Sequence, residues 1–464
     1  MSLPRRSQSA LEYMMTYGWA ILVIVIVAAV LYSLGIFSPS SSLSTTITGF
    51  SNLGTVNAVC LGGTSFTISM GDSTGYPINV TEINLTSSSG KTTYSPNILI
   101  QPNSIQTVTV PSSALCTSGA RYSVSAVISY LEPGQVFQGP YTSTGTVAGT
   151  AASPPSSATS YEPLTIANTQ NQGTSSPFQQ MINVTSSSPG WGDISSSPFG
   201  QNVEFFSSTG QILDSWLENY TSTRAIWWVK LTSSIPAGSK QTIYMGFAPT
   251  STNLFNTNNV GEAPQLSSTY AEYDDGANVF TNYWNFAGTS LPSGWVVSGA
   301  GSITVNNGVS LSYNGQGPFV EGPIQISSGI VLDALVSAPS NGEINIGGFN
   351  SFVANLGFTG SPAAWAIGVT SSGGVTSWSA NSNTPVATAN TQYVMTFYYD
   401  SGAMVLLADY QTATSVDNSF SSPQYISFNG YGTSGAGNGF IQWLRTRAYP
   451  PNGAMPSVTF GSVS

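Results

Sequence analysis

Runs in which every second residue is apolar recur along most of this chain. FTISM, VTEINLT, IQTVTV and YSVSAVISY are the first of them. A period of two places successive side chains on opposite faces, as in a strand that buries one face. Clusters such as Gly71-Asp72-Ser73-Thr74-Gly75-Tyr76-Pro77 break the runs. Short strands with frequent turn signals predict all-β sandwiches. The pattern returns in MINVT, VEFFSS, AIWWVKL and QTIYMGF, and again in SITVNN, GIVLDALVS, GEINIGGF, YVMTFYYD and YISFNG.

One stretch breaks this rule. From Gly18 to Phe37 no residue is charged and most are apolar. A helix of that length crosses a hydrocarbon core of about 30 Å. Arg5 and Arg6 precede it and would hold the N-terminus in the cytoplasm. The apolar run exceeds the h-region of an ordinary secretory signal. Glu12 is the one charge between Arg6 and Asp72, and a carboxylate at membrane depth needs a partner.

Composition sets further bounds. Only 6% of the 464 residues are charged, against about 25% in ordinary soluble proteins. The 41% hydrophobic content supports packed cores and argues against general disorder. Net charge is −10 and the nine basic residues form no stripe, so no nucleic-acid partner is expected. With no histidine, the commonest general base and metal ligand is missing. So few titrating groups suit an acidic exterior. Cys60 and Cys116 cannot make a zinc site by themselves. In an exported chain they are expected to form one disulfide, worth about 3–4 kcal/mol. Two buried free thiols are the alternative.

The stretch Arg6-Ser7-Gln8-Ser9-Ala10-Leu11-Glu12, followed by MMTYGWAILVIVIV, resembles the archaeal class III signal peptide of type IV pilin-like proteins. The resemblance implies cleavage between Ser7 and Gln8 by a membrane prepilin-type peptidase. Glu12 would then be fifth in the mature chain and could pair with the new amine of a neighbouring subunit in a filament. Ser7 stands where the family often has Gly. The implied location is the cell membrane with a large extracellular portion, or an extracellular filament.

The expected fold class is mostly β: one N-terminal hydrophobic helix followed by three β-sandwich or jelly-roll domains. The divisions are a basic leader at 1–7, the assembly helix at 8–38 and a sandwich at 42–145, then a linker at 146–160 and two further domains at 161–275 and 276–464. The first outer domain looks like the immunoglobulin-like head of archaeal pilins, with five to seven strands expected. The second resembles a domain of unknown function common in archaeal and bacterial surface proteins. PLTIANTQNQGTSSPFQQMINV, VEFFSSTGQILDSWLENY, WWVKL and IYMGF carry that likeness. The third, from NVFTNYWNFAGTSLPSGW to FIQWLRTRAYPPNGAMPSVTFG, looks like a concanavalin-like jelly roll.

Candidate sites follow from these divisions. Asn79, Asn84, Asn183 and Asn219 head glycosylation sequons. Glu272, Asp274 and Asp275 could offer oxygens to calcium or form a solvated junction. Trp216, Trp227 and Trp228 could stack on sugars or fill a core. Trp365, Trp378, Tyr431 and Trp443 offer aromatic surface for glycans. Arg445 and Arg447 share a strand face and could grip anionic glycans or pair with a neighbouring Asp. Retaining glucanases of the laminarinase type carry Glu, Asp and Glu alternating on one strand. Here Glu343 is kept, while Asn345 and Gly347 replace the other two. A retaining hydrolase needs two carboxyls about 5 Å apart, so no catalysis is expected. The leading reading is a cell-surface adhesin or pilin-like protein binding glycans. A membrane-anchored sugar-binding protein that does not polymerise is the alternative, and a glycoside hydrolase stands last.

Overall fold

The computed structural model describes residues 45–463, apart from 52, 73, 327–328, 340–341, 350–362, 369–374, 378–379, 385–389, 401–402, 418–423 and 433–437. Ser7, Gln8, Glu12 and the stretch to Phe37 therefore lie outside the described residues, as does Trp378. Among the described residues no helix is long and apolar enough to cross a membrane.

The described chain is mostly β. The first unit packs a six-stranded sheet on a three-stranded one. In the larger sheet, Arg121–Leu131 lies between Tyr141–Thr150 and Ile78–Thr86. The smaller sheet runs Leu53–Leu61, Ser65–Asp72, Ile105–Pro111. Inward residues such as Phe66, Ile68, Val80, Val124 and Ile128 are fully buried between them. Strands outnumber the five to seven expected because Lys91–Tyr94 and Ile98–Ile100 are too short to show a pattern. Cys60 and Cys116 are joined in a disulfide within this core. Most of the expected linker is also structured. Tyr141–Thr150 is one continuous strand, and Ala152 bridges to Leu61. Its Thr, Ser, Gly and Ala residues mimic a linker, with Val147 alone showing the apolar beat.

The second unit stacks a five-stranded and a four-stranded sheet over Leu164, Ile166, Phe205, Trp227, Ile243 and Met245. Its main strands include Ser160–Ala167, Lys240–Phe247, Phe178–Thr185, Ser215–Tyr220 and Arg224–Leu231. The strand beside Ser160–Ala167 comes from the far end of the chain. Ser457–Phe460 pairs with it antiparallel, Leu164 opposite Phe460 and Ala167 opposite Ser457. The third unit is thus inserted into the second, and the boundary drawn at 276–464 is corrected: the last strand returns.

Among the described residues the third unit is an antiparallel sandwich of two main sheets, the jelly-roll arrangement expected, with a small hairpin of Val375–Ser377 and Ala380–Thr384 beside them. An eight-stranded sheet has Asn438–Ala448 and Ile330–Ser337 at its centre. A five-stranded sheet runs Val296–Gly299, Gly315–Ile326, Gln424–Gly432, Gly342–Phe349, Ala363–Gly368. Leu332, Val336, Ile344, Ile346, Ile426 and Phe428 fill the space between the sheets. The early strand Asn282–Trp284 pairs with the late strand Asn438–Ala448, so the ends of this unit do meet.

Candidate functional site

Each sheet of the third unit has a second, outer face. The outer face of the eight-stranded sheet carries Asp333, Leu335, Val394, Trp443, Arg445 and Arg447. The second unit covers it with Trp216, Ile226 and Trp228. Arg445 Nε donates to Asp333 Oδ2 at 2.9 Å and its Nη2 donates to Glu218 Oε2 at 2.6 Å. Arg447 Nε reaches the same Asp333 oxygen at 2.8 Å. The Arg445 guanidinium carbon lies 4.3–5.2 Å from the ring centres of Trp216, Trp228, Phe280 and Trp443. Burial pushes the Asp333 carboxyl up, but the Arg447 and Arg445 guanidiniums beside it outweigh that and hold it below its ordinary value. Losing one partner of such a buried pair costs about 3–5 kcal/mol, because a charge is stranded in the interior.

This geometry corrects one assignment and decides two alternatives left open. Trp443 and Arg445 are 0% exposed and Arg447 is 1% exposed, so none of them presents a glycan-binding surface. The arginines take the other reading, pairing with Asp333 on the adjacent strand. Trp216, Trp227 and Trp228 are likewise core residues, with Trp227 on one face of its strand and Trp228 on the other. Of the two readings of Glu272, Asp274 and Asp275, calcium gains no support. Among the described residues no three acidic side chains group to hold a metal. Asp274 instead accepts bonds from Trp216 Nε1, Tyr283 Oη, Asn285 Nδ2 and the Gly276 amide.

The sequons sit on strands. Asn183 and Asn219 are exposed and both register with Ile226, one on each side of its strand. Asn79 and Asn84 are half-buried, and the Asn84 amide bonds Glu82 at 2.5 Å.

The outer face of the five-stranded sheet is also buried, at Asn345, Ser427 and Asn429. Ile344 and Ile346 point into the core, so Asn345 points out. Across the next two strands Asn345 registers with Asn429 and Asn429 with Phe319. Gly347 registers with Ser427 and Ser427 with Glu321. Asn345 is 1% and Asn429 3% exposed. Neither the oxygen nor the nitrogen of the Asn345 amide has a hydrogen-bond partner, nor has Asn429 Oδ1 or Glu321 Oε2. Burial alone raises the Glu321 carboxyl above its ordinary value. A buried polar atom left unpaired costs about 1–3 kcal/mol, and native structures hold few of them. Four such atoms on three adjacent strands mark this face as the candidate site. Trp365 registers with Ile346 and Tyr431 with Glu343, on strands of the same sheet, but their side chains lie outside the described residues. Spacing from Glu343 identified Asn345 only as the residue in place of a catalytic Asp, not as part of a binding site. Glu321 and Asn429 were missed, because only strand register brings them alongside.

Residues 199–298 match the family described as "Domain of unknown function (DUF2341)". The match overlaps the second unit and enters the third. The chain is 42% identical over 127 residues to "Uncharacterized protein 562" of Sulfolobus islandicus rod-shaped virus 1, covering 26% of this chain and 21% of the viral protein. The chain thus spans about a fifth of that relative's length. Among solved structures, it is similar to the endo-β-1,3-glucanase from Pyrococcus furiosus at 11% identity and a TM-score of 0.27, covering 37% of this chain and 94% of that one. It is similar to the carbohydrate recognition domain of Emp46p at 8% identity and a TM-score of 0.27, covering 33% and 88%. For apo Crh5 transglycosylase the values are 14%, 0.28, 37% and 85%. At such scores the strand order described above, and not these likenesses, carries the jelly-roll assignment.

Proposed function

We propose that this chain is a cell-surface adhesin or pilin-like protein. In this reading it is anchored or assembled through Gln8–Phe37, and its jelly roll takes glycans at the outer face of the five-stranded sheet, whose cover must open to admit them to the buried Asn345 and Asn429. One observation carries the binding half: the unpaired amide of Asn345, flanked by Asn429 and Glu321. Saccharide hydroxyls both donate and accept, and so complete a neutral amide that has neither kind of partner. The asparagines favour an uncharged sugar, because they add no fixed charge to the site.

We read the site as non-catalytic. Glu343 and Glu321 stand two strands and four residues apart along this sheet. Strand spacing converts that to about 16 Å between backbones. Glycoside hydrolysis needs carboxyls about 5–9.5 Å apart. The test is a glycan array probed with the full chain and with Asn345→Ala. We expect neutral glycans to bind the parent, and the variant to lose at least about tenfold in affinity, the effect of about 1.4 kcal/mol. Silence of the parent across neutral and acidic glycans would overturn the reading. So would sugar release that Glu343→Gln abolishes.

A further inference from the structure

The first sandwich has two unlike ends. Strand register places Tyr76, Leu99, Ile105, Val136 and Phe137 at the same one. Asn79 pairs with both Leu99 and Leu131, and Leu131 opens the hairpin that carries Val136 and Phe137. Tyr76 immediately precedes the strand that begins at Ile78, and Ile105 pairs with Gly71 at the same level. These are five of the eight large apolar side chains exposed among the described residues, with Val136 at 94% and Phe137 at 80% exposure. The connecting residues 73–77, 101–104 and 132–140 hold Glu132 as their one charge and no basic residue. At the opposite end, residues 87–90 and 112–118 are rich in serine.

We infer that this end seats on a lipid bilayer, the one that the apolar stretch Gly18–Phe37 enters. The inference rests on that stretch being the anchor. The contacts are dispersed over separate loops and strand ends, with Val136 and Phe137 protruding and Tyr76, Leu99 and Ile105 about half exposed, so a rigid partner would need a matching pocket for each. The fluid boundary between headgroups and acyl chains accommodates them without one. The tether has the length required. Thr46 registers with Ala148, seven residues up the strand that leaves the hairpin at Tyr141. That climb is about 23 Å, and the nine residues from Phe37 to Thr46 reach about 30 Å. The chain can leave the bilayer at Phe37 and join its sandwich at Thr46 while the hairpin tip stays in the headgroups. The exposed Lys240 of the second unit lies near this end, next to Ser239, whose hydroxyl donates to the Ile105 carbonyl, so attachment draws chiefly on apolar burial and only weakly on anionic lipid.

The test uses the full chain in proteoliposomes of zwitterionic lipid. Both native cysteines are held in the disulfide, so Val136→Cys supplies a unique thiol for an environment-sensitive fluorophore. Thr209→Cys, in an exposed turn of the second unit, is the control. Flotation after an alkaline wash reports the anchor independently. We expect the probe at 136 to shift to the blue and to be quenched about twofold or more by lipids carrying a shallow quencher. The probe at 209 should do neither. A chain that floats while the probe at 136 stays water-like overturns the seating and leaves the anchor standing. A blue shift without lipid quenching means a protein contact and also overturns it. A chain that fails to float refutes both.

Discussion

Glu162 is one residue through which the stability of the second unit depends on pH. It lies on Ser160–Ala167 among inward-facing Leu164 and Ile166, with no accessible surface. The Gly190 amide donates to its Oε2 at 3.2 Å, while Oε1 has no partner. A Cβ on residue 190 would stand 2.6 Å from that oxygen, so glycine permits the approach. Burial pushes the carboxyl from the ordinary 4.5 up to about 7, against the pull of the Gly190 bond. Asp275 is pushed up to about 9, first by burial and then by Asp274 and Asp214. Glu204 and Glu262 rise chiefly from burial. A folded value above the ordinary one means the stabilising contribution is whole below about pH 4 and is lost as pH rises through the folded value. For Glu162 that loss runs from 4.5 and is complete above about 7, and for Asp275 it runs from 3.8 and is complete above about 9. Asp333 runs the other way, contributing above the ordinary carboxylate range and losing its share as pH falls through its lowered value. Glu162→Gln should therefore leave stability at pH 4 unchanged and raise it at pH 8 by up to about 3 kcal/mol. Urea unfolding at both pH values measures this, and an equal effect at the two would refute it.

At the scale of elements, the returning strand Ser457–Phe460 makes the strongest claim. Val458 and Phe460 pack against the core of the second unit, together with Met455 and Val463. Ending the chain at Pro456 should expose the ladder of Ser160–Ala167 and cost about 2–4 kcal/mol in lost apolar burial. Hydrogen exchange should then show faster exchange in Ser160–Ala167 and intact protection in Ile330–Ser337. Unchanged protection at Ser160–Ala167 would show that the strand is dispensable. This element was not legible in the sequence. SVTF alternates like any jelly-roll strand, and nothing in a strand's own pattern names its partner. Arg445 and Arg447 were half legible in the same sense. Their spacing put them on one face, but a face that another unit covers reads the same as an open one. The alternating runs were legible because burial of a single face imposes the beat directly. Tyr141–Thr150 escaped because small residues do not show it. In the candidate site local spacing showed only that Asn345 stands where a catalytic Asp would, and its pairing with Asn429 and Glu321 across strands was not legible.

For the whole molecule, the proposed anchoring and assembly turn on Glu12. A carboxylate that pairs with the new amine of a neighbour is needed for assembly and not for insertion. Glu12→Ala should still enter membranes, with its N-terminus at Gln8 by mass spectrometry, and should form no filaments or complexes on cell surfaces by electron microscopy. Normal assemblies from that variant would refute the pairing. An uncut Ser7–Gln8 bond in the parent would refute the leader itself.

The nesting of the third unit inside the second has a mechanical side. A tether from the first unit enters the second at Ser160, while the jelly roll feeds its last strand in at Ser457, beside Ala167. Tension between a held surface and a gripped ligand thus pulls the two strands from opposite ends of their ladder. The rungs must slide past one another together and cannot open one by one. The junction is loaded in shear, and a second covalent path through residues 262–282 runs parallel to it.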